Sequence, residues 1–230
     1  MKNIFIIVIL LAGCTPKAVL EVNIVGKLRT MMMENDTEAN INLQDLKDET
    51  HLYALGALEG LEGEVLVMGS KPMISKVEGD SFSIANNFDE QATLLVYTQV
   101  EEWDSFTIEK NLTLVELEAM VHQKATEAQI PEPVPFLVKG TVSKLNWHIV
   151  NGSTGTNATH ESHASKGFNR EWNHTEVEIL GFYSESHQGV MTHHGENSHM
   201  HFKSQDGSAS GHVDDVHIKK GSLLFIPKSY

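Results

Sequence analysis

One long stretch of this chain, residues 113–129, carries a helical period, and it stands among short apolar runs separated by glycine, proline and asparagine. Leu114, Leu117, Val121 and Ala125 recur three or four residues apart, while Glu116, Glu118, Lys124 and Glu127 take the other faces. That spacing predicts an amphipathic helix, capped at its start by Thr113 and ended before Pro131. The other runs are short and rich in β-formers, and strands are expected at 64–68, 73–77, 92–98, 136–142, 144–150, 175–183, 199–203, 211–218 and 222–227. Residues 92–98 are nearly all apolar, which suits a central strand. A short helix is expected at 42–48, ending before Leu55, and Pro131, Pro133 and Pro135 make a stiff connector. Residues 151–170 are Gly, Ser, Thr, Asn and His text and read as a long loop. The expected class is α+β, mainly β, with mixed or antiparallel sheets and one or two helices. No repeat recurs at a fixed spacing, so one continuous domain or two β halves sharing a core would account for the chain.

Charge and cysteine content narrow the partners. Against 31 Asp and Glu there are 17 Lys and Arg, a net charge of −14, which excludes a nucleic-acid partner. The single cysteine excludes a disulfide framework and any thiolate-rich metal site. It follows a positive start at Lys2 and an apolar run from Ile4 to Gly13 that is too short to span a bilayer and reads as a secretory signal. Leu11-Ala12-Gly13-Cys14 resembles the lipobox of bacterial lipoproteins. The resemblance implies a signal peptide over 1–13 and acylation of Cys14; the lipid-anchored segment over 14–40 reads as a linker, or partly as a first strand over 19–24, and the text from 41 to 230 reads as a globular domain. The protein would then be exported and tethered by lipid alone to a bacterial membrane, in the outer membrane and periplasm or at the cell surface. The bland alternative is an ordinary signal peptide that happens to contain a cysteine.

Eleven of the thirteen histidines lie between His148 and His217. His199 and His201 are two apart, so on a strand both imidazoles project from one face while Met200 and Phe202 point into the core. His212 lies eleven residues further on, a span that a strand, a turn and an antiparallel return can close. Three imidazoles meeting on a strand pair would hold a borderline divalent ion, Zn²⁺ first, and leave coordination positions open for chemistry. The bland alternative is a polar strand with solvated histidines. His193 and His194 could line the mouth of such a site, whereas His160, His163, His174 and His187 read as loop residues and His217 as facing away from Ile218.

Two blocks resemble the α-acetolactate decarboxylases. The first runs from Leu43-Gln44-Asp45-Leu46 through Leu55-Gly56-Ala57-Leu58-Glu59-Gly60-Leu61-Glu62-Gly63-Glu64-Val65-Leu66-Val67-Met68-Gly69, with Glu64 on the family's glutamate. The second runs from Leu180-Gly181-Phe182-Tyr183 through Ser198-His199-Met200-His201-Phe202 to Gly211-His212-Val213-Asp214-Asp215. The resemblance, over about residues 41–226, implies removal of CO₂ from 2-acetolactate, a small 2-hydroxy-3-oxo acid, to give acetoin. It implies a metal on His199, His201 and His212 acting as a Lewis acid, and Glu64 as the proton relay or the contact to the substrate hydroxyl. A homodimer is compatible with it. The chain departs from the family in two places. Where the family carries an active-site arginine this chain has His148, with Lys144 as a candidate stand-in and Arg170 as a further partner for a substrate carboxylate. The family's further glutamate, beyond its last strand, has no counterpart before Tyr230. These departures keep two other readings open: a metal-binding lipoprotein of the same fold with impaired turnover, and a metal-dependent hydrolase, although no His-Glu-x-x-His motif is present.

Overall fold

The computed structural model describes residues 20–152, 167–192 and 195–228. The signal segment, Cys14, His160, His163, His193 and His194 lie outside the described residues. In chain order the elements are β1 (Val22–Val25), α1 (Leu28–Glu34), β2 (Ile41–Asn42), a 3₁₀ turn (Leu43–Leu46), β3 (Leu52–Leu58), β4 (Glu64–Met68), β5 (Lys71–Glu78), β6 (Ser81–Ala85) and β7 (Gln91–Gln99). They continue with β8 (Trp103–Thr107), α2 (Leu114–Ala128), β9 (Val134–Ile149), β10 (Phe168–Trp172), β11 (Thr175–Tyr183), β12 (Ser198–Ser204), β13 (Ser210–Ile218) and β14 (Leu223–Pro227).

Two seven-stranded antiparallel sheets result, so the mainly β expectation holds. The first has the order β1-β7-β3-β4-β5-β6, with β2 also on β7. The all-apolar run of β7 lies inside this sheet, between β1 and β3. The second has the order β11-β12-β13-β9-β14-β8, with β10 on β9 and a further pairing of β11 with β9. That last pairing closes β9, β11, β12 and β13 into a ring.

The ring depends on β9 being one strand, where two were expected. Gly140, with φ of +147°, lies inside it, and a Cβ there would stand 2.4 Å from the Ser222 hydroxyl. The expected gap fell at Ser143, whose side chain donates to the His217 carbonyl at 3.3 Å, and the strand runs through it, while Gly140 lets it pass close to Ser222. The first part of β9 pairs with β11 and β14, and the last part with β13 and β10.

α2 is the predicted helix. The Thr113 side chain accepts from the Glu116 N–H and the Glu116 side chain answers the Thr113 N–H, a capping box, while Leu117, Val121 and Ala125 face the core of the second sheet. Beneath it Trp147 meets Phe202 and Trp172 edge-on, with ring centroids 5.0 and 5.1 Å apart.

Three expectations change. The end of the stretch read as loop, residues 168–170, belongs to β10, which runs on to Trp172 because Phe168 and Trp172 pack on Trp147. β3 is a strand where none was expected, since Gly56 and Ala57 carry little β-signal. Of the two readings of residues before 41, linker or first strand, the strand is found as β1 on β7, and the unexpected α1 follows it and buries Leu28 and Met31. α1 has seven residues and no side-chain cap, too short to leave a legible period.

Candidate metal centre

The strand registers assemble the histidines. His201 on β12 is the partner of His212 on β13, and His212 is the partner of His148 on β9. Directly paired residues share a face, so the three imidazoles stand in a row across three strands, and His199, two residues from His201, joins them. Met200 and Phe202 alternate to the other side and are buried in the core. Ring centroids lie 5.0 Å apart for His199 and His201, 5.1 Å for His199 and His212, and 5.3 Å for His201 and His212. Nε2 of His199 and Nε2 of His201 are 3.2 Å apart, and one ring nitrogen from each of the three histidines lies within 4.8 Å of the others. A tetrahedral ion with bonds of about 2.0–2.1 Å sets its nitrogens about 3.4 Å apart, so this donor set suits one borderline divalent ion. His201 is fully buried. Burial first, and then the neighbouring His199 and His148, hold its pKa well below the usual imidazole value. It is therefore neutral, which is the ligating form.

The carboxyl group comes from the other sheet. Glu64 opens β4, where it pairs with Ala57 and Ser75. The buried Ser75 hydroxyl donates to the Ser210 carbonyl at 2.9 Å and ties β5 to β13, bringing the two sheets together at this point. Glu64 is 3% exposed. Its Oε1 accepts the Val150 N–H at 3.0 Å and lies 3.9 Å from Nε2 of His148, while its Oε2 lies 3.6 Å from Nε2 of His201. Burial pushes the Glu64 carboxyl up to about 7, against the opposing pull of His148 and the Val150 N–H. A carboxyl poised there exchanges a proton at neutral pH.

His148 is 4% exposed, and its Nδ1 lies 2.7 Å from Oδ1 of Asp214. Burial depresses its pKa, but the Asp214 hydrogen bond and the charge of Glu64 outweigh that and raise it. Lys144 lies four residues back along β9 and is held by Asp215 at 3.2 Å. Arg170 pairs with Trp147 and so shares that residue's face and not His148's; its guanidinium lies 3.9 Å from the centroid of the Phe168 ring. Lys144 and Arg170, expected to receive a substrate, are not among the described residues that line the cleft.

The cleft holds about 400 Å³ of empty space, part of it open to solvent. Glu64, His148, His199 and His212 line it together with Thr192, Glu196 and Ser198, and Leu28, Met31, Leu94, Val150 and Met191 form much of its apolar side. Sequence reasoning missed the contribution of α1. The Leu28 and Arg29 N–H groups donate to the Val190 and Gly189 carbonyls, each at 2.9 Å, and so tie α1 to the turn that carries Met191. It also missed Asp214, although that residue stands within the Gly-His-Val-Asp-Asp block. His174 sits in an exposed turn, His187 contacts Ser184 at 2.8 Å, and His217 is half-buried beside Ile218; none of the three enters the cluster.

Fold and site together define a class: two docked antiparallel sheets, with three imidazoles on one and a buried carboxyl from the other. The chain belongs to the alpha-acetolactate decarboxylase family, whose sequence profile matches residues 26–227. An alpha-acetolactate decarboxylase of Methanosarcina mazei is 24% identical over 170 residues, which cover 74% of this chain and 57% of that relative. The chain thus spans little more than half the length of the curated relative it matches. Among solved structures, the alpha-acetolactate decarboxylase of Bacillus subtilis strain 168 superposes with a TM-score of 0.72 at 14% identity, covering 90% of this chain and 85% of that one. A Staphylococcus aureus protein described as similar to alpha-acetolactate decarboxylase superposes with a TM-score of 0.69 at 19% identity, covering 91% and 85%. At these identities the superpositions speak for the fold.

Proposed function

We propose that this chain is a carboxy-lyase that converts 2-acetolactate to acetoin, with a divalent ion, Zn²⁺ first, held by His199, His201 and His212. The observation that carries this reading is the buried Glu64 carboxyl, 3.6 Å from Nε2 of His201 in the same cleft. When bound, the metal supplies Lewis-acid polarisation of the substrate's ketone and hydroxyl oxygens. Departure of CO₂ leaves a carbon that must gain a proton, and Glu64, titrating near 7, is the group that holds one there. The Val150 N–H restrains one carboxyl oxygen, and His148 flanks the same oxygen from the second sheet. Leu94, Val150 and Met191 give the substrate's methyl groups an apolar wall and limit water at the reacting carbon. The test is acetoin formation from racemic acetolactate by the Zn²⁺-loaded protein. A rate above the spontaneous background is expected, and no excess acetoin would overturn the reading.

One observation favours a second reading, a metal-binding protein with impaired turnover. No Lys or Arg is among the described residues that line the cleft, where a substrate carboxylate would be received. That reading predicts metal binding without acetoin. Cys14, outside the described residues, is proposed as the acylated residue that tethers the exported protein. Incorporation of a labelled fatty acid, lost in Cys14→Ser, is the expected result.

A further inference from the structure

We propose that Asp214 is a positioning residue of this site, holding the His148 imidazole by Nδ1 so that Nε2 is presented to Glu64 and the cleft. The inference rests on the role given to His148 above, but its structural half can be judged without turnover. It begins with the register of β13. Val213 pairs with Trp147 and Asp215 pairs with Asn146, which leaves Asp214 as an extra residue in a bulge. A bulge re-aims a side chain that regular pairing would commit elsewhere. Here it separates the fates of two adjacent carboxylates: Asp215 meets Lys144 at 3.2 Å, and Asp214 meets His148 at 2.7 Å.

An ionised carboxylate only accepts hydrogen bonds, so the proton in this contact sits on Nδ1 of His148. That assignment leaves Nε2 as the nitrogen facing Oε1 of Glu64, 3.9 Å away. The same Glu64 oxygen accepts from Val150 on the other side. His148 is itself nearly fully buried, so without Asp214 its Nδ1 would lose this partner, and the ring could turn over and exchange its two nitrogens. Asp214 has a side chain 43% exposed and does not touch the cleft, so it acts through the imidazole and not on a ligand.

The test is two-bond nitrogen–proton correlation spectroscopy of the ¹⁵N-histidine-labelled protein, with the His148 signals assigned by their absence in His148→Asn. The native protein should show His148 protonated at Nδ1. Asp214→Ala should lose that signature, and Asp214→Asn should restore it, because the amide oxygen can accept the same bond. Titration with Zn²⁺ alone should give the same affinity in Asp214→Ala as in the native protein, since His148 stands outside the three-imidazole set. An unchanged His148 spectrum in Asp214→Ala would overturn the proposal. So would a fall in Zn²⁺ affinity of roughly 10–100-fold, the loss expected when a metal ligand's own partner is removed. Should Asp214→Ala fail to fold, Asp214→Ser is the second variant and carries the same expectations. Absence of acetoin from the native protein would sink the decarboxylase reading, and the spectra would still decide the role of Asp214.

Discussion

Glu64 on the first sheet and His201 on the second face each other across the sheet junction, Oε2 to Nε2, at 3.6 Å. Neither residue is near the other in sequence, and neither has more than 3% of its surface exposed. The site therefore exists only when the two sheets are docked, and whatever loosens that junction should loosen the metal centre with it.

At this contact His201 should serve the metal and Glu64 the proton. Glu64→Gln keeps the volume and removes the acid. It should leave Zn²⁺ binding in place while lowering acetoin formation by about 10²–10⁴-fold, the usual contribution of a positioned acid or base. Parallel calorimetric titration and acetoin assays check it. Loss of metal binding in this variant would mean that Glu64 serves the ion and not the proton.

Gly211 should couple stability to the site. A Cβ at this position would stand 2.6 Å from the His148 carbonyl oxygen and 2.9 Å from the Trp147 ring. Gly211→Ala must push β13 away from β9, at a cost of about 1–3 kcal/mol, and it should weaken Zn²⁺ binding because His212 moves with its strand. Thermal unfolding and metal titration of one sample read both effects.

Thr113→Ala supplies the contrast. It removes the cap of α2, which packs on the second sheet's core and does not line the cleft. The expected loss is about 1 kcal/mol of stability, or about 2–4 °C in Tm, with Zn²⁺ affinity unchanged.

How much of this was legible beforehand depended on how local the signal was. α2 was readable because its period, cap and terminating proline all lie within twenty residues. The His199 and His201 pair was readable because spacing by two on a strand means one face, and Met200 between them agreed. β9 was read as two strands parted at Ser143, and what carries it through that residue is its pairing with β13, more than seventy residues away. Asp214 escaped notice because a bulge is a property of strand pairing and leaves no mark in a single strand's text. Lys144 and Arg170 were plausible by charge alone, and their partners, Asp215 and the Phe168 ring, became visible only with the register.

Acid stability should depend on Glu178. Burial raises its pKa, but hydrogen bonds from Lys139 and Lys203 outweigh burial and hold it below the usual carboxylate value. The folded protein thus binds this proton less readily than the unfolded chain. The stabilisation is full above the ordinary glutamate pKa of about 4.3 and is lost as the pH falls through the lowered folded value. In Glu178→Gln the Tm should drop by about 1–3 °C at pH 6, a gap that narrows toward pH 3, as expected for a partly exposed pair. Melting curves across that pH range are the check.

The central claim is that His199, His201 and His212 hold one divalent ion beside Glu64. Calorimetric titration of Zn²⁺ into chelator-treated protein tests it most directly, run on the native chain and on His201→Ala, with circular dichroism to confirm that both are folded. The account predicts one ion per native chain and no comparable binding in the variant. Equal binding by both proteins, or none by the native chain, would contradict it.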